Sequence, residues 1–191
     1  MITNIYFVRH AEPDYSVHDD STRPLTEKGK KDALKVATYL NDMDIEVALS
    51  SPYKRAVDTI RPFIDTNNMS VELVENFRER KVDSCWIEDF QGFSKKQWED
   101  FNYKLSDGEC LYEVQERNIK ALEDVLKRFY GKNIVIGTHG TALSTIINYY
   151  ESSYEYKDFN EIRLLTPWIV KFTFDEMMCV KIEKIDILKA Y

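Results

Sequence analysis

The feature that most constrains this chain is a pair of apolar runs that each stop on a histidine. Ile5-Tyr6-Phe7-Val8 is followed by Arg9-His10, and Ala11-Glu12-Pro13-Asp14 then breaks regular structure. Unbroken apolarity, rather than alternation, predicts a strand covered on both faces, as in the middle of a parallel sheet. Ile134-Val135-Ile136-Gly137-Thr138-His139-Gly140 repeats the pattern, and Val47-Ala48-Leu49-Ser50-Ser51-Pro52-Tyr53-Lys54-Arg55 is a third short run ending in a turn and an arginine. In open α/β sheets, ligands bind beyond the carboxyl ends of the strands. If the three runs are parallel neighbours, Arg9, His10, Arg55 and His139 meet in one small volume. Two guanidiniums with two imidazoles suit a phosphoryl group.

The rest of the chain supplies helices for both faces of such a sheet. A polar loop over 11–24 leads to Thr26, which caps a helix with Glu27 in its first turn and Leu34, Val36, Ala37, Tyr39 and Leu40 on its apolar face. A strand near 45–49 precedes a helix that Ser51-Pro52 opens and that runs to about Phe63, and a short strand covers 70–74. Residues 77–107 carry Trp86, Phe90, Phe93, Trp98, Phe101 and Tyr103, and read as helical pieces of a cap or lid above the strand ends. The longest helix covers 109–129, with Leu111, Val114, Ile119, Leu122, Val125, Leu126 and Phe129 as its buried stripe. Gly131 ends it, a strand starts at Ile134, a helix follows over 141–150, and 168–174 with 179–187 form a hairpin at a sheet edge. Strands alternating with helices imply a three-layer α/β/α sandwich with a mostly parallel sheet, one domain over 1–191 with the cap at about 77–107.

Composition narrows the partners. A formal charge of -7 argues against nucleic acid, whose binding rests on neutralising phosphates with Lys and Arg. No apolar run reaches membrane-spanning length, and the opening residues read as a core strand rather than a signal peptide. Cys85, Cys110 and Cys179 are odd in number and lack metal-ligand spacing, so a reducing cytoplasm is the expected compartment. The expected partner is a small phosphorylated substrate; its identity and the oligomeric state are left open.

Six ordered blocks carry a family resemblance. Val-Arg-His-Ala at 8–11, Leu-Thr-Glu-Lys-Gly at 25–29, Ser-Ser-Pro-Tyr-Lys-Arg-Ala at 50–56, Phe-Arg-Glu at 77–79, Asp-Gly-Glu at 107–109 and Thr-His-Gly at 138–140 resemble the histidine phosphatase superfamily, the phosphoglycerate-mutase-like group. Ala11 stands where that family usually has glycine, which implies a backbone torsion compatible with a Cβ. Ser16 stands where the family often has asparagine. The resemblance implies that His10 is a nucleophile forming a phosphohistidine, and that Arg9, Arg55 and His139 meet the charge on the phosphoryl oxygens. His139 is most useful there when protonated. The Gly140 N–H at a helix start adds a donor, and Ser16 and Arg23 are candidate substrate contacts. Neither a metal nor a cofactor is implied, since side chains supply the positive charge.

Proton transfer to the leaving oxygen needs a carboxyl. Periodicity cannot choose between Glu75 and Glu79, and the family block favours Glu79. Plainer readings sit beside these. His18 reads as a surface residue, loop arginines such as Arg23 are usually solvated, cap aromatics are more often core than pocket, and Glu109 opening a helix can simply complement its dipole. The leading reading is a cofactor-independent phosphomonoesterase. A mutase returning the phosphoryl group to another hydroxyl is the alternative, and a non-catalytic phospho-ligand sensor is a third.

Overall fold

The computed structural model describes residues 1–85 and 87–188, and Trp86 of the expected cap lies outside them. The elements run β1 (Ile2–Arg9), α1 (Glu27–Asn41), β2 (Val47–Ser50), α2 (Lys54–Thr66), β3 (Val71–Leu73), α3 (Phe90–Glu99), α4 (Leu111–Arg128), β4 (Asn133–Thr138), α5 (Gly140–Tyr150), α6 (Tyr156–Ile162), β5 (Trp168–Asp175) and β6 (Met178–Ile185), with a 3-10 turn at Glu75–Phe77. The six-stranded sheet has the order β3-β2-β4-β1-β5-β6. Its first four strands are parallel, and the β5–β6 hairpin joins antiparallel to β1 at the edge.

Two helix layers account for the unbroken apolar runs. Ile5 and Phe7 of β1, with Ile134 and Ile136 of β4, pack among Leu122, Val125 and Leu126 of α4 and Leu143 and Ile146 of α5. The intervening Tyr6, Val8 and Val135 point the other way, onto Val36 and Leu40 of α1 and Ile60 and Phe63 of α2. Each residue of the apolar runs Ile5 to Val8 and Ile134 to Ile136 therefore faces a helix layer, and each fully buried side chain contributes about 1.5–3 kcal/mol. Thr26 caps α1 as expected, its Oγ1 accepting from Gly29 N at 3.0 Å.

Several boundaries differ from expectation. Helix α2 begins at Lys54, not at Ser51-Pro52, because Ser51 N donates to the Gly137 carbonyl at 2.8 Å and is held to the sheet. Helix α4 begins at Leu111, where Cys110 is the cap and its N–H donates to Glu113. Glu109 therefore lies ahead of the helix. Leu34 is exposed on α1, although Val36, Ala37 and Leu40 are buried. The short helix α6 was not foreseen; Phe159 is its one buried residue. Among the described residues of 78–107 none joins the sheet, and Trp98 of α3 is core. Its ring centroid lies 5.5 Å from those of Phe101 and Phe159 and 5.9 Å from Tyr154.

Candidate active site

Sheet register brings the two histidines together. Arg9 pairs with Thr138 across β1 and β4, and Ser50 pairs with Gly137 across β2 and β4. His10 and His139 thus emerge level with each other past the carboxyl ends, with Ser51 one position behind them. His10 N still donates to the Thr138 carbonyl at 3.0 Å. The two imidazole centroids are 5.3 Å apart with the planes at 61°.

His10 is 5 % exposed, and its Nδ1 lies 2.8 Å from the Ala11 carbonyl. A carbonyl only accepts, so Nδ1 carries the proton and Nε2 keeps its lone pair. Burial, then the charges of Arg55 and Arg9, push the ring pKa well below 6.5 and hold it neutral. Ala11 N donates to Thr59 Oγ1 at 2.9 Å, and that hydroxyl donates to the Arg55 carbonyl at 2.7 Å. Ala11 is not among the residues of positive φ, so its methyl group is accommodated without strain.

His139 caps α5 and is fully buried. Its Nε2 is 2.7 Å from Ser51 Oγ, while Nδ1 has no hydrogen-bond partner. His139 is most useful to a phosphoryl group when protonated, and the protein groups alone do not favour that state. Burial first, then Arg55 and the neighbouring His10, lower its pKa well below 6.5.

The arginines are tightly engaged. Arg9 Nη1 donates to the Ile162 carbonyl at 2.5 Å and to that of Leu165 at 3.2 Å, Nη2 donates to the Arg163 carbonyl at 3.0 Å, and Nε is unpartnered. Arg55 is buried on the first turn of α2; it donates to the Asp20 carbonyl, and its Nη1 lies 3.2 Å from Asp20 Oδ1. Arg23 is also buried, against the plain expectation for a loop arginine. It donates to the carbonyls of Val17 at 2.8 Å and His18 at 3.2 Å and to Asp20 Oδ1 at 2.7 Å, gathering the loop around itself. Ser16 is exposed and donates its hydroxyl to Asp14 at 2.7 Å, in a local turn. His18 is exposed on the same loop.

The two candidate carboxyls are set apart by position. Glu79 accepts from Thr141 N at 3.0 Å and Ala142 N at 3.1 Å, at the positive end of α5, and from Arg80 N at 2.8 Å. Glu75 sits in the 3-10 turn with its side chain 70 % exposed. Gly140, the first residue of α5, follows His139 directly. Sequence reasoning missed Ser51, Thr59 and Asp20. Ser51 was legible as the residue after a strand, and Thr59 as the helical i+4 neighbour of Arg55; nothing marks Asp20. Among the described residues no group of three or more His, Cys, Asp or Glu is placed to hold a metal ion, and no helix is long and apolar enough to cross a membrane.

The strand ends and the start of α5 thus gather a neutral imidazole on His10, the buried Arg9 and Arg55, His139 and the Glu79 carboxyl. Comparison with known proteins points to one family. The model of the histidine phosphatase superfamily (branch 1) matches residues 5–183. A probable phosphoglycerate mutase GpmB of Enterobacter sp. (strain 638) is 29% identical over 159 residues, 75% of this chain and 73% of that protein. A metal-independent phosphoserine phosphatase of Arabidopsis thaliana is 28% identical over 161 residues, 76% of this chain and 67% of that one. Among solved structures, phosphoserine phosphatase of Entamoeba histolytica in complex with 3-phosphoglyceric acid superimposes with a TM-score of 0.77 at 22% identity, covering 97% of this chain and 99% of that one.

Proposed function

The chain belongs to the histidine phosphatase superfamily, branch 1, and on that premise we propose that it hydrolyses a small phosphate monoester through a phosphohistidine on His10. The observation that carries the reading is the state of that ring. Nδ1–H donates to the Ala11 carbonyl at 2.8 Å, and burial keeps the imidazole neutral, so Nε2 is a nucleophile. In the first displacement the Nε2–P bond forms and the ester P–O bond breaks, with Glu79 protonating the departing oxygen. In the second, water attacks phosphorus and gives a proton to Glu79. The N–P bond then breaks, its electron pair returns to Nε2, and inorganic phosphate leaves.

Arg9, Arg55 and His139 are the groups assigned to the equatorial oxygens, with the Gly140 N–H as a further donor and Arg23 and Ser16 toward the rest of the ester. A phosphoryl dianion beside His139 opposes the effect of Arg55 and draws a proton onto that ring. Side chains supply all the positive charge in this scheme, and no step is assigned to a metal or cofactor. The scattered free thiols of Cys85, Cys110 and Cys179 fit a cytoplasmic setting.

A mutase reading is favoured by the relatives named as probable phosphoglycerate mutases. The same His10 would then return the phosphoryl group to a hydroxyl. One experiment separates the two. Rapid-quench labelling should trap an acid-labile, base-stable phosphoryl group that is lost in His10→Ala, and phosphate should be released from several monoesters without a bisphosphoglycerate primer and in the presence of a chelator. Label that persists in His10→Ala, or a need for a divalent metal, overturns the mechanism. Efficient interconversion of 3- and 2-phosphoglycerate with only trace hydrolysis turns the reading to the mutase.

A further inference from the structure

Glu109 and Arg117 form a saturated ion pair beneath the segment that carries Glu79. Arg117 Nε donates to Glu109 Oε1 at 2.8 Å and Nη2 to Oε2 at 3.0 Å, a bidentate fork between the residue ahead of the α4 cap and the second turn of that helix. The remaining donors of Arg117 reach three carbonyls of one short segment: Asn76 at 2.8 Å, Arg78 at 2.9 Å and Glu79 at 3.2 Å. All five N–H groups of the guanidinium are thus committed within the protein. Glu109 is committed as fully, accepting also from Arg78 Nη2 and from Lys81 N, each at 2.9 Å.

The backbone repeats the tie. Glu109 N donates to the Lys81 carbonyl at 2.8 Å. A Cβ on Gly108 would stand 2.1 Å from the Val82 carbonyl, so only glycine lets these two strands of chain approach. Burial alone would push the Glu109 carboxyl up. The hydrogen bonds from Arg117 and from Lys81 N outweigh it and hold the group below its usual range, as the charged partner of a fork. Glu109 is therefore bound directly to Arg78 and Lys81, and through Arg117 to the carbonyls of Asn76, Arg78 and Glu79.

We propose that Glu109 and Arg117 are positioning residues for the proton donor: they hold the main chain on both sides of Glu79 so that its carboxyl meets the leaving oxygen. With every donor used, Arg117 has none for the substrate and acts only through the segment it binds. Lysine in its place keeps the charge but cannot span a carboxylate and three carbonyls. The proposal rests on the reading of Glu79 as the acid, and the test keeps the two apart.

Phosphoenzyme formation is measured in single turnovers of the whole chain, on an alkyl phosphate and on nitrophenyl phosphate, whose leaving group departs without a proton. Glu79→Gln should slow the alkyl ester by about 10²–10⁴-fold and the nitrophenyl ester far less. Arg117→Lys and Glu109→Gln should show the same asymmetry at reduced size, roughly 10-fold on the alkyl ester as a part of that general-acid effect. The double variant Glu79→Gln/Arg117→Lys should be no slower on the alkyl ester than Glu79→Gln, because the acid it positions is already gone. Losses equal on both esters, or losses that add to those of Glu79→Gln, overturn the positioning role while leaving Glu79 as the acid. An absence of asymmetry in Glu79→Gln itself overturns the reading of Glu79 and the proposal with it. Thermal melting checks each variant, and Glu109→Gln, the smaller change, carries the test should Arg117→Lys not fold.

Discussion

A Cβ placed on Gly140 would stand 3.1 Å from Cζ, Nε and Nη2 of Arg9, so the guanidinium packs directly on the first residue of α5. Three carbonyls at 162, 163 and 165 fix Arg9 from its other side. The arginine cannot retreat without losing those bonds.

Gly140→Ala should therefore weaken phosphate-ester binding and lower kcat together, although alanine is the better helix former. Overpacking of this kind costs about 1–3 kcal/mol, more than the about 1 kcal/mol that Gly-to-Ala returns in a helix. Steady-state kinetics with a thermal melt checks it; unchanged KM with raised stability is the contrary result.

Stability should fall as the pH drops below 6.5. His10 and His139 both have folded pKa values well under their ordinary 6.5, burial being the first cause. Below that value the unfolded chain binds protons that the folded chain refuses. The stability is complete above 6.5 and is lost as the pH falls toward the folded pKa values, at up to about 1.4 kcal/mol per pH unit for each ring. Urea unfolding at pH 7.5 and 5.5 measures the slope, and His139→Gln should make it shallower. A flat profile in that window contradicts it.

Asp20→Asn should lower the KM for a phosphate monoester. The carboxylate lies 3.2 Å from Arg55 Nη1 and 2.7 Å from Arg23 Nη1, in competition with an incoming anion. Its side chain is 43% exposed, so the screened effect is about 0.2–1 kcal/mol, roughly 1.4–5-fold. A raised KM would instead mean that Asp20 serves to order the loop that Arg23 gathers.

The sheet was legible because β1, β4 and β2 are apolar on both faces, and residues buried on both faces cannot alternate. Their histidines and Arg55 followed from the strand ends alone. The start of α2 was not legible: Pro52 favours a first helical turn, but the carbonyl of Gly137, far along the chain, takes Ser51 N. Nor was α6, whose single buried Phe159 leaves no periodic stripe. The Asp20–Arg55 pair joins a loop to a helix with no repeat to betray it. Neutrality of His139 depends on burial and on Arg55, neither of which a linear motif encodes.

The position of β1 between β4 and β5 has a consequence for the newborn chain. Both neighbours of this strand are translated long after it. Until then Ile5 to Val8 offer two open edges, and the face of Ile5 and Phe7 stays bare until α4 and α5 follow, which is the profile of a segment that invites self-association or a chaperone. The imidazole on His10 waits with it, since His139 arrives only with β4. Turnover in a synthesis reaction therefore cannot precede closure of the sheet, and its first appearance would time that event.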